Sequence, residues 1–499
     1  MCDASDSDVF KLARSVSITL QGYHERVEGI LRDIPPSYYP LVYGMILCVM
    51  AVVASHVSFI NVTKAYPARN PILFCKSKNS DKSFTLMQLI NAKVPALRDH
   101  AVTLFNPLLF SGNLQTMFAG IRKFRFIDRL YFGRQMLHMA DGGSASLDKV
   151  ITEDRFKSVK VDDCDVPPNQ KKYVNSTTRY LTKREIVEQH SDDNKPMILA
   201  LHGLSGSSAE AYCRCLFSRL YHIESFECFV LNSRGCGNTE LTSPSLFCAL
   251  WTEDIHTAVR FLKKNYPNRP LFAVGFSLGS VILTNYLAQE GIQSQIDFAV
   301  TLACIWDLRA SSYALENGIV SGNLYSPVMT LPLLGLLSKH KKELMKNKTF
   351  AKNYTSKTSS HVHSLCQFDD YFTSQLFGFS CADEYYLYAS PIMRMNNIRT
   401  PLLNINSEDD PIAGSLKVGA IPLKRAENNP YITIITTNLG GHLGWFKWNN
   451  DRWYADPVSS LMGHLYRSHF TESQPYVQVD QCKLSRTPLE NDRLPVCHI

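Results

Sequence analysis

The sequence predicts an α/β fold: a mostly parallel, doubly wound sheet with a helical insert late in the chain and one membrane-spanning helix ahead of it. Three observations carry this. Short, nearly continuous apolar runs recur from residue 196 onward, as MILAL (197–201), CFVL (228–231), LFAV (271–274) and FAVTL (298–302). Strands covered on both faces have this composition. Helical periodicity fills the gaps between the runs, and that alternation implies parallel strands with ligands at their carboxyl ends. Near the N-terminus, residues 34–63 hold no Asp, Glu, Lys or Arg.

In chain order, residues 1–38 form a polar segment and 39–62 a transmembrane anchor. The core of the anchor, LVYGMILCVMAVVASHVSFI (41–60), has the length that crosses a hydrocarbon layer. A buried helix of a soluble domain is the competing reading. A cleaved signal peptide is disfavoured by the mixed-charge residues before the run and by its length. A signal-anchor of this kind implies a single-pass protein of the endoplasmic reticulum or plasma membrane, and its orientation is signalled both ways. Arg26 and Arg32 precede it while Lys64, Arg69, Lys76, Lys78 and Lys82 follow, which puts the large domain in the cytosol. The glycosylation triplets at Asn61, Asn175, Asn347 and Asn353 would need it in a lumen.

The 499 residues are 45% apolar and only 19% charged, so a large core can be buried and disorder is not the rule. The net charge of +7 is spread along the chain, which argues against a nucleic-acid partner and suits weak attraction to lipid headgroups. The cysteines lack metal-ligand spacing, Cys213 and Cys215 being the only close pair. Free thiols are therefore expected, and neither metal nor cofactor.

A globular domain spans 95–470. It begins with a mixed region whose loop signals include Asn106-Pro107 and Asp141-Gly142-Gly143. Helices are expected at 211–221, at 251–266 (which stops at Pro267) and at 280–289. After FAVTL comes a Leu-, Tyr- and Phe-rich insert, about 306–400, before the strands LLNIN (402–406) and YITIIT (431–436). A polar tail, 471–499, closes the chain.

Chemistry enters at Gly275-Phe276-Ser277-Leu278-Gly279, between the LFAV strand and the helix after it. So tight a reversal strains the middle residue, so the residues two before and two after it must be small; the strain lifts the Ser277 hydroxyl above the sheet. Serine is a poor nucleophile until a base takes its proton. His442, in Gly440-Gly441-His442 after the last strand, stands where that base belongs; His202, His361 and His363 are weaker rivals. The acid should end the preceding strand, at Glu408-Asp409-Asp410-Pro411. Asp410, directly before the turn, is the choice, with Asp409 shaping the turn. Oxyanion donors are expected at the backbone N–H of Leu278 and of Leu204, in His202-Gly203-Leu204-Ser205-Gly206, unless that loop is only a tight turn.

HGLSGSS (202–208), NSRGCG (232–237), ELTSP (240–244), GFSLGS (275–280), NSEDDP (406–411) and GGHLGWF (440–446) occur in that order. Further matches are SGNLQT (111–116), Asp141-Gly142-Gly143 with Leu147-Asp148, and Tyr385-Tyr386 with Ala389-Ser390-Pro391. This set resembles the AB hydrolase 4 family, whose members include membrane-anchored monoacylglycerol lipases, phospholipases and yeast medium-chain ethyl-ester synthase/esterases. The resemblance implies an α/β-hydrolase fold with its triad at Ser277, Asp410 and His442. Asn113, where the family usually has His before Gln-Thr, and Lys149, where an aromatic residue is common, depart from the pattern and leave substrate preference open.

The insert occupies a lid position, and its apolar content suits an acyl-chain pocket; a dimer surface is the alternative. Lid and anchor together imply a substrate that lives in a bilayer: a monoacylglycerol, a longer acylglycerol or a phospholipid. Acylglycerol hydrolysis, acyl transfer to an alcohol, and non-catalytic lipid sensing are the three open readings, the last disfavoured by a complete Ser-Asp-His set.

Overall fold

A strand built from successive Val, Ile, Leu and Phe has no polar side to show to water, so it must sit between two covering layers. The computed structural model describes residues 59–75, 83–354, 361–414 and 419–470, with Gly44 and Leu416. The predicted polar segment, nearly all of the predicted anchor and the predicted tail lie outside the described residues. In chain order the strands are β1 (Ile60–Tyr66), the ribbon β2 (Phe74–Cys75) and β3 (Ser83–Phe84), β4 (Val102–Leu104), β5 (Tyr131–His138), β6 (Ser144–Ile151) and β7 (Thr178–Tyr180), followed by β8 (Met197–Leu201), β9 (Glu227–Asn232), β10 (Leu271–Phe276), β11 (Phe298–Leu302), β12 (Leu402–Ser407) and β13 (Ile432–Thr437). All but the ribbon join one sheet in the order β4-β1-β13-β12-β11-β10-β8-β9-β6-β5-β7.

The six strands from β13 to β9 run parallel, and they match the apolar runs read from the sequence. Every residue of β8, β10, β11, β12 and β13 is buried. The helices used below are α1 (Gly112–Ile121), α2 (Ala211–His222), α3 (Glu253–Asn265), α4 (Leu278–Glu290), α5 (Leu308–Asn317), α6 (Ser326–Lys339), α7 (Ala382–Ala389) and α8 (Ala455–His469). Phe217, Phe272, Val458 and Leu461 belong to the core on one face of the sheet; Val259, Leu262, Leu283 and Leu287 belong to that on the other. Helices α5 to α7 lie in the insert between β11 and β12.

The N-terminal side of the sheet differs from the sequence-based boundaries. The folded unit begins at Phe59 rather than near 95. Ile60, Asn61 and Val62, placed in the anchor by hydropathy, pair with Leu104, Thr103 and Val102 instead. Asn61 is fully buried, which removes it from the glycosylation acceptors. Among the described residues no single helix is long and apolar enough to cross a membrane, and the described cysteines are free thiols.

Two buried arginines fasten the antiparallel strands to the parallel ones. Arg134 grips Asp148 through Nε and Nη2 at 2.7 Å each, and the same carboxylate accepts from Ser208 Oγ (2.6 Å) and Asn232 Nδ2 (2.8 Å). Arg234 pairs with Asp254 at 2.7 Å and with Asp141, and lies over the Trp251 ring at 4.6 Å. The motifs Leu147-Asp148, HGLSGSS and NSRGCG therefore converge on one carboxylate. Asp148→Ala strands Arg134 as an uncompensated buried charge, and urea denaturation should read a loss of about 3–5 kcal/mol. A loss below about 1 kcal/mol would mean that Arg134 finds water or another partner.

Candidate active site

The turn from β10 into α4 is so tight that side chains are excluded on both sides of it. A Cβ at Gly275 would stand 2.6 Å from the Gly279 carbonyl oxygen and the Ser280 Cα, and a Cβ at Gly279 would run into the Leu201 carbonyl. Ser277 is held at φ 53°, ψ −120°, a conformation that costs a non-glycine residue about 1–3 kcal/mol. Ser280 Oγ secures the turn by donating to the carbonyls of Gly275 (2.6 Å) and Leu302 (2.9 Å).

His442 follows β13 on a loop that α1 clamps. The His442 N–H donates to Thr116 Oγ1 at 2.9 Å, and Thr116 Oγ1 donates to the Gly112 carbonyl at 2.6 Å. Gln115 Oε1 accepts from the Phe446 N–H at 2.9 Å. So held, the imidazole presents Nε2 to Ser277 Oγ at 2.7 Å and Nδ1 to Asp410 Oδ2 at 2.8 Å. These partners assign the ring proton to Nδ1 and leave Nε2 to accept from the hydroxyl. The other oxygen of Asp410 accepts the N–H groups of Ile412 and Ala413, each at 2.8 Å. Ser277, Asp410 and His442 are 6%, 1% and 8% exposed.

Asp409, the rival acid, faces elsewhere. Its Oδ1 accepts from Ser407 Oγ (2.5 Å) and the Gly441 N–H (2.9 Å), which ties the end of β12 to the histidine loop. Burial pushes its carboxyl above the usual range. His361 and His363 are exposed and take no part. His202 is buried behind the loop after β8: the Ser233 N–H donates to its Nε2 at 3.0 Å, and its Nδ1 stands 2.7 Å from the Gly203 carbonyl. Burial holds it down to about 4, so it is neutral. The same carbonyl also accepts from the Gly206 N–H at 3.0 Å, and the Leu204 N–H on that peptide plane therefore points the opposite way. A Cβ at Gly203 would lie 3.3 Å from the Ser277 Cβ, so the loop passes directly beside the serine.

Leu204, Leu278 and Ser277 open on a cavity roofed by the insert, with Leu308, Leu333, Phe372 and Phe377 in its walls. Its chief polar feature escaped the sequence reading. Asp369, within the walls, accepts from Thr373 Oγ1 (2.6 Å) and Tyr386 OH (2.7 Å), and burial pushes its carboxyl up to about 6. An unfolded aspartate titrates near 4, so the fold favours the protonated acid. That stability is fully present below about pH 4 and is lost as pH rises through about 6, a swing of up to about 3 kcal/mol. Asp369→Asn should therefore gain on the wild type at pH 8 but not at pH 4 in urea melts. Parallel pH responses of the two proteins would show that Asp369 ionises freely.

A family profile described as the alpha/beta hydrolase fold matches residues 196–420. Monoacylglycerol lipase of Saccharomyces cerevisiae is 35% identical over 411 residues, covering 81% of this chain and 90% of that protein. Medium-chain fatty acid ethyl ester synthase/esterase 2 of the same yeast is 32% identical over 414 residues, covering 77% and 90%. Phospholipase ABHD3 of Homo sapiens is 29% identical over 332 residues, covering 66% and 70%.

Proposed function

The chain belongs to the alpha/beta hydrolase family as a serine carboxylic-ester hydrolase acting on lipid esters, and from that premise we propose that it is an acylglycerol lipase working through Ser277, His442 and Asp410. The observation that carries this reading is the unbroken relay of 2.8 and 2.7 Å from Asp410 through His442 to Ser277, opening on an apolar cavity. Ser277 Oγ attacks the ester carbonyl as its proton passes to His442 Nε2. Asp410 keeps the ring oriented and stabilises the imidazolium without taking the proton. The N–H groups of Leu278 and Leu204 receive the oxyanion. His442 then protonates the leaving glycerol oxygen, and water activated by the same ring releases the fatty acid from the acyl-enzyme. The apolar run that ends before Phe59 would tether this domain to a membrane and raise the local concentration of substrate.

The similarity to an ethyl ester synthase/esterase favours a second reading, in which an alcohol takes the place of the water. A panel of monoacylglycerol, triacylglycerol and phosphatidylcholine, given to the purified protein with and without ethanol, tests both. Free fatty acid should come fastest from monoacylglycerol. A preference for phosphatidylcholine would replace lipase by phospholipase, and ethyl ester exceeding free acid would replace hydrolysis by acyl transfer.

A further inference from the structure

The loop that carries Leu204 has a second pocket on its other flank, and its chemistry is opposite to that of the acyl cavity. Ser205, Gly206 and Ser207 line this pocket. Its walls hold Arg122, Lys123, Arg125, Arg129, Arg214 and Arg452, against the carboxyl of Glu210. Burial pushes the Glu210 carboxyl above its usual range, which weakens the one countercharge in the wall. The Ser205 hydroxyl is buried without a hydrogen-bond partner among the described residues, and the residue is held at φ 56°.

Most of the cations come from one segment, Ile-Arg-Lys-Phe-Arg-Phe-Ile-Asp-Arg (121–129). The segment is a built feature. Arg214 donates to the carbonyls of Lys123 (3.4 Å), Phe124 (2.9 Å), Ile127 (2.6 Å) and Asp128 (3.1 Å). Phe124 stacks on Phe446 at 5.6 Å, with Arg452 over its ring at 5.1 Å. With Phe124 turned inward, its neighbours face water: Phe126 is 89% exposed and Ile121 80%. Lys123 and Arg125 are exposed and form no ion pair among the described residues. A loop that shows large apolar side chains between unpaired cations suits a surface that is anionic above and oily below.

We propose that the 121–129 loop and the basic pocket behind it are a docking surface for a bilayer bearing anionic phospholipid. Lys123 and Arg125 meet the headgroup phosphates, the pocket takes one headgroup, and Phe126 and Ile121 enter the interfacial layer. A basic side chain close to an anionic surface contributes about fivefold to binding, so two of them outweigh ordinary differences between lipids.

The full chain in non-ionic detergent micelles is titrated with fluorescent phosphatidylserine and, separately, phosphatidylcholine of identical acyl chains, so that the acyl cavity meets the same chains in both. The wild type should bind phosphatidylserine at least about tenfold more tightly. The preference should vanish in Lys123→Glu/Arg125→Glu and in about 0.5 M salt, while that variant hydrolyses a short water-soluble ester as the wild type does. Phe126→Ala should weaken both lipids alike. Equal binding of the two lipids by the wild type, or a preference that survives the double charge reversal, overturns the proposal. So does displacement of phosphatidylserine by millimolar inorganic phosphate, which would mark a small-anion pocket. Binding is read without turnover, so failure here leaves the proposed hydrolysis standing.

Discussion

Ser277→Ala is expected to lower ester hydrolysis by roughly 10⁵–10⁶-fold and to abolish labelling by a fluorophosphonate probe, with the fold unchanged. The chemistry has no understudy. Ser311, Ser312 and Thr373 share the cavity with Ser277, but Ser311 Oγ donates to the Ile412 carbonyl at 2.6 Å, Thr373 Oγ1 to Asp369, and Ser312 bonds the Cys366 thiol, so none of the three faces a histidine. Cys248, also in the wall, has its thiol held far above the usual range by burial, so no thiolate is available. Stability should barely move, because alanine bears the positive φ at that position no worse than serine does. Hydrolysis of a chromogenic ester, probe labelling and a thermal melt are read together. Wild type that fails to label, or a variant that labels equally well, would remove Ser277 from the reaction.

The parallel half of the sheet was legible because its strands announce themselves without help from distant residues. MILAL and FAVTL coincide with β8 and β11 to the residue, each being apolar at every position or nearly so. The antiparallel half hides the same burial behind polar letters. β6 reads SASLDKVI, and its Ser146 and Asp148 are wholly buried. They can be so only because Arg134 on the paired strand, and Asn232 and Thr239 far off in sequence, supply the hydrogen bonds. No local pattern distinguishes such a strand from a loop. β1 was masked differently: its first residues continue the apolar run before them, and only pairing with β4 and β13 places them in the sheet.

The candidate site divides along the same line. Ser277 sits in a motif whose mechanics are local, five residues long. The clamp on His442 comes from Thr116, 326 positions away; the SGNLQT motif marked that residue without giving it a task. Asp369 had no signal at all, since an acid in a Leu- and Phe-rich insert reads as surface until Tyr386 and Thr373 are seen to enclose it.

The two neighbouring carboxylates should separate most sharply under the same conservative change. Asp410→Asn is expected to cost about 10⁴-fold in kcat, and Asp409→Asn less than about tenfold. At Asp410 the Ile412 and Ala413 N–H groups both donate to Oδ1. Those donors claim the amide oxygen of an asparagine and turn its NH₂ toward His442 Nδ1, at the place where Oδ2 now accepts the hydrogen bond of the ring N–H. Two donors cannot face each other, so the ring must move its proton to Nε2, the nitrogen that has to be free to accept from Ser277. At Asp409 both donors, Ser407 Oγ and the Gly441 N–H, also converge on Oδ1. An asparagine oxygen there keeps both bonds, and the histidine loop stays where it is. Steady-state hydrolysis by the two variants decides the matter, with a melt as a control on folding. A crippled Asp409→Asn beside an active Asp410→Asn would transfer the role of the acid, and with it the assignment of the imidazole proton, from one neighbour to the other.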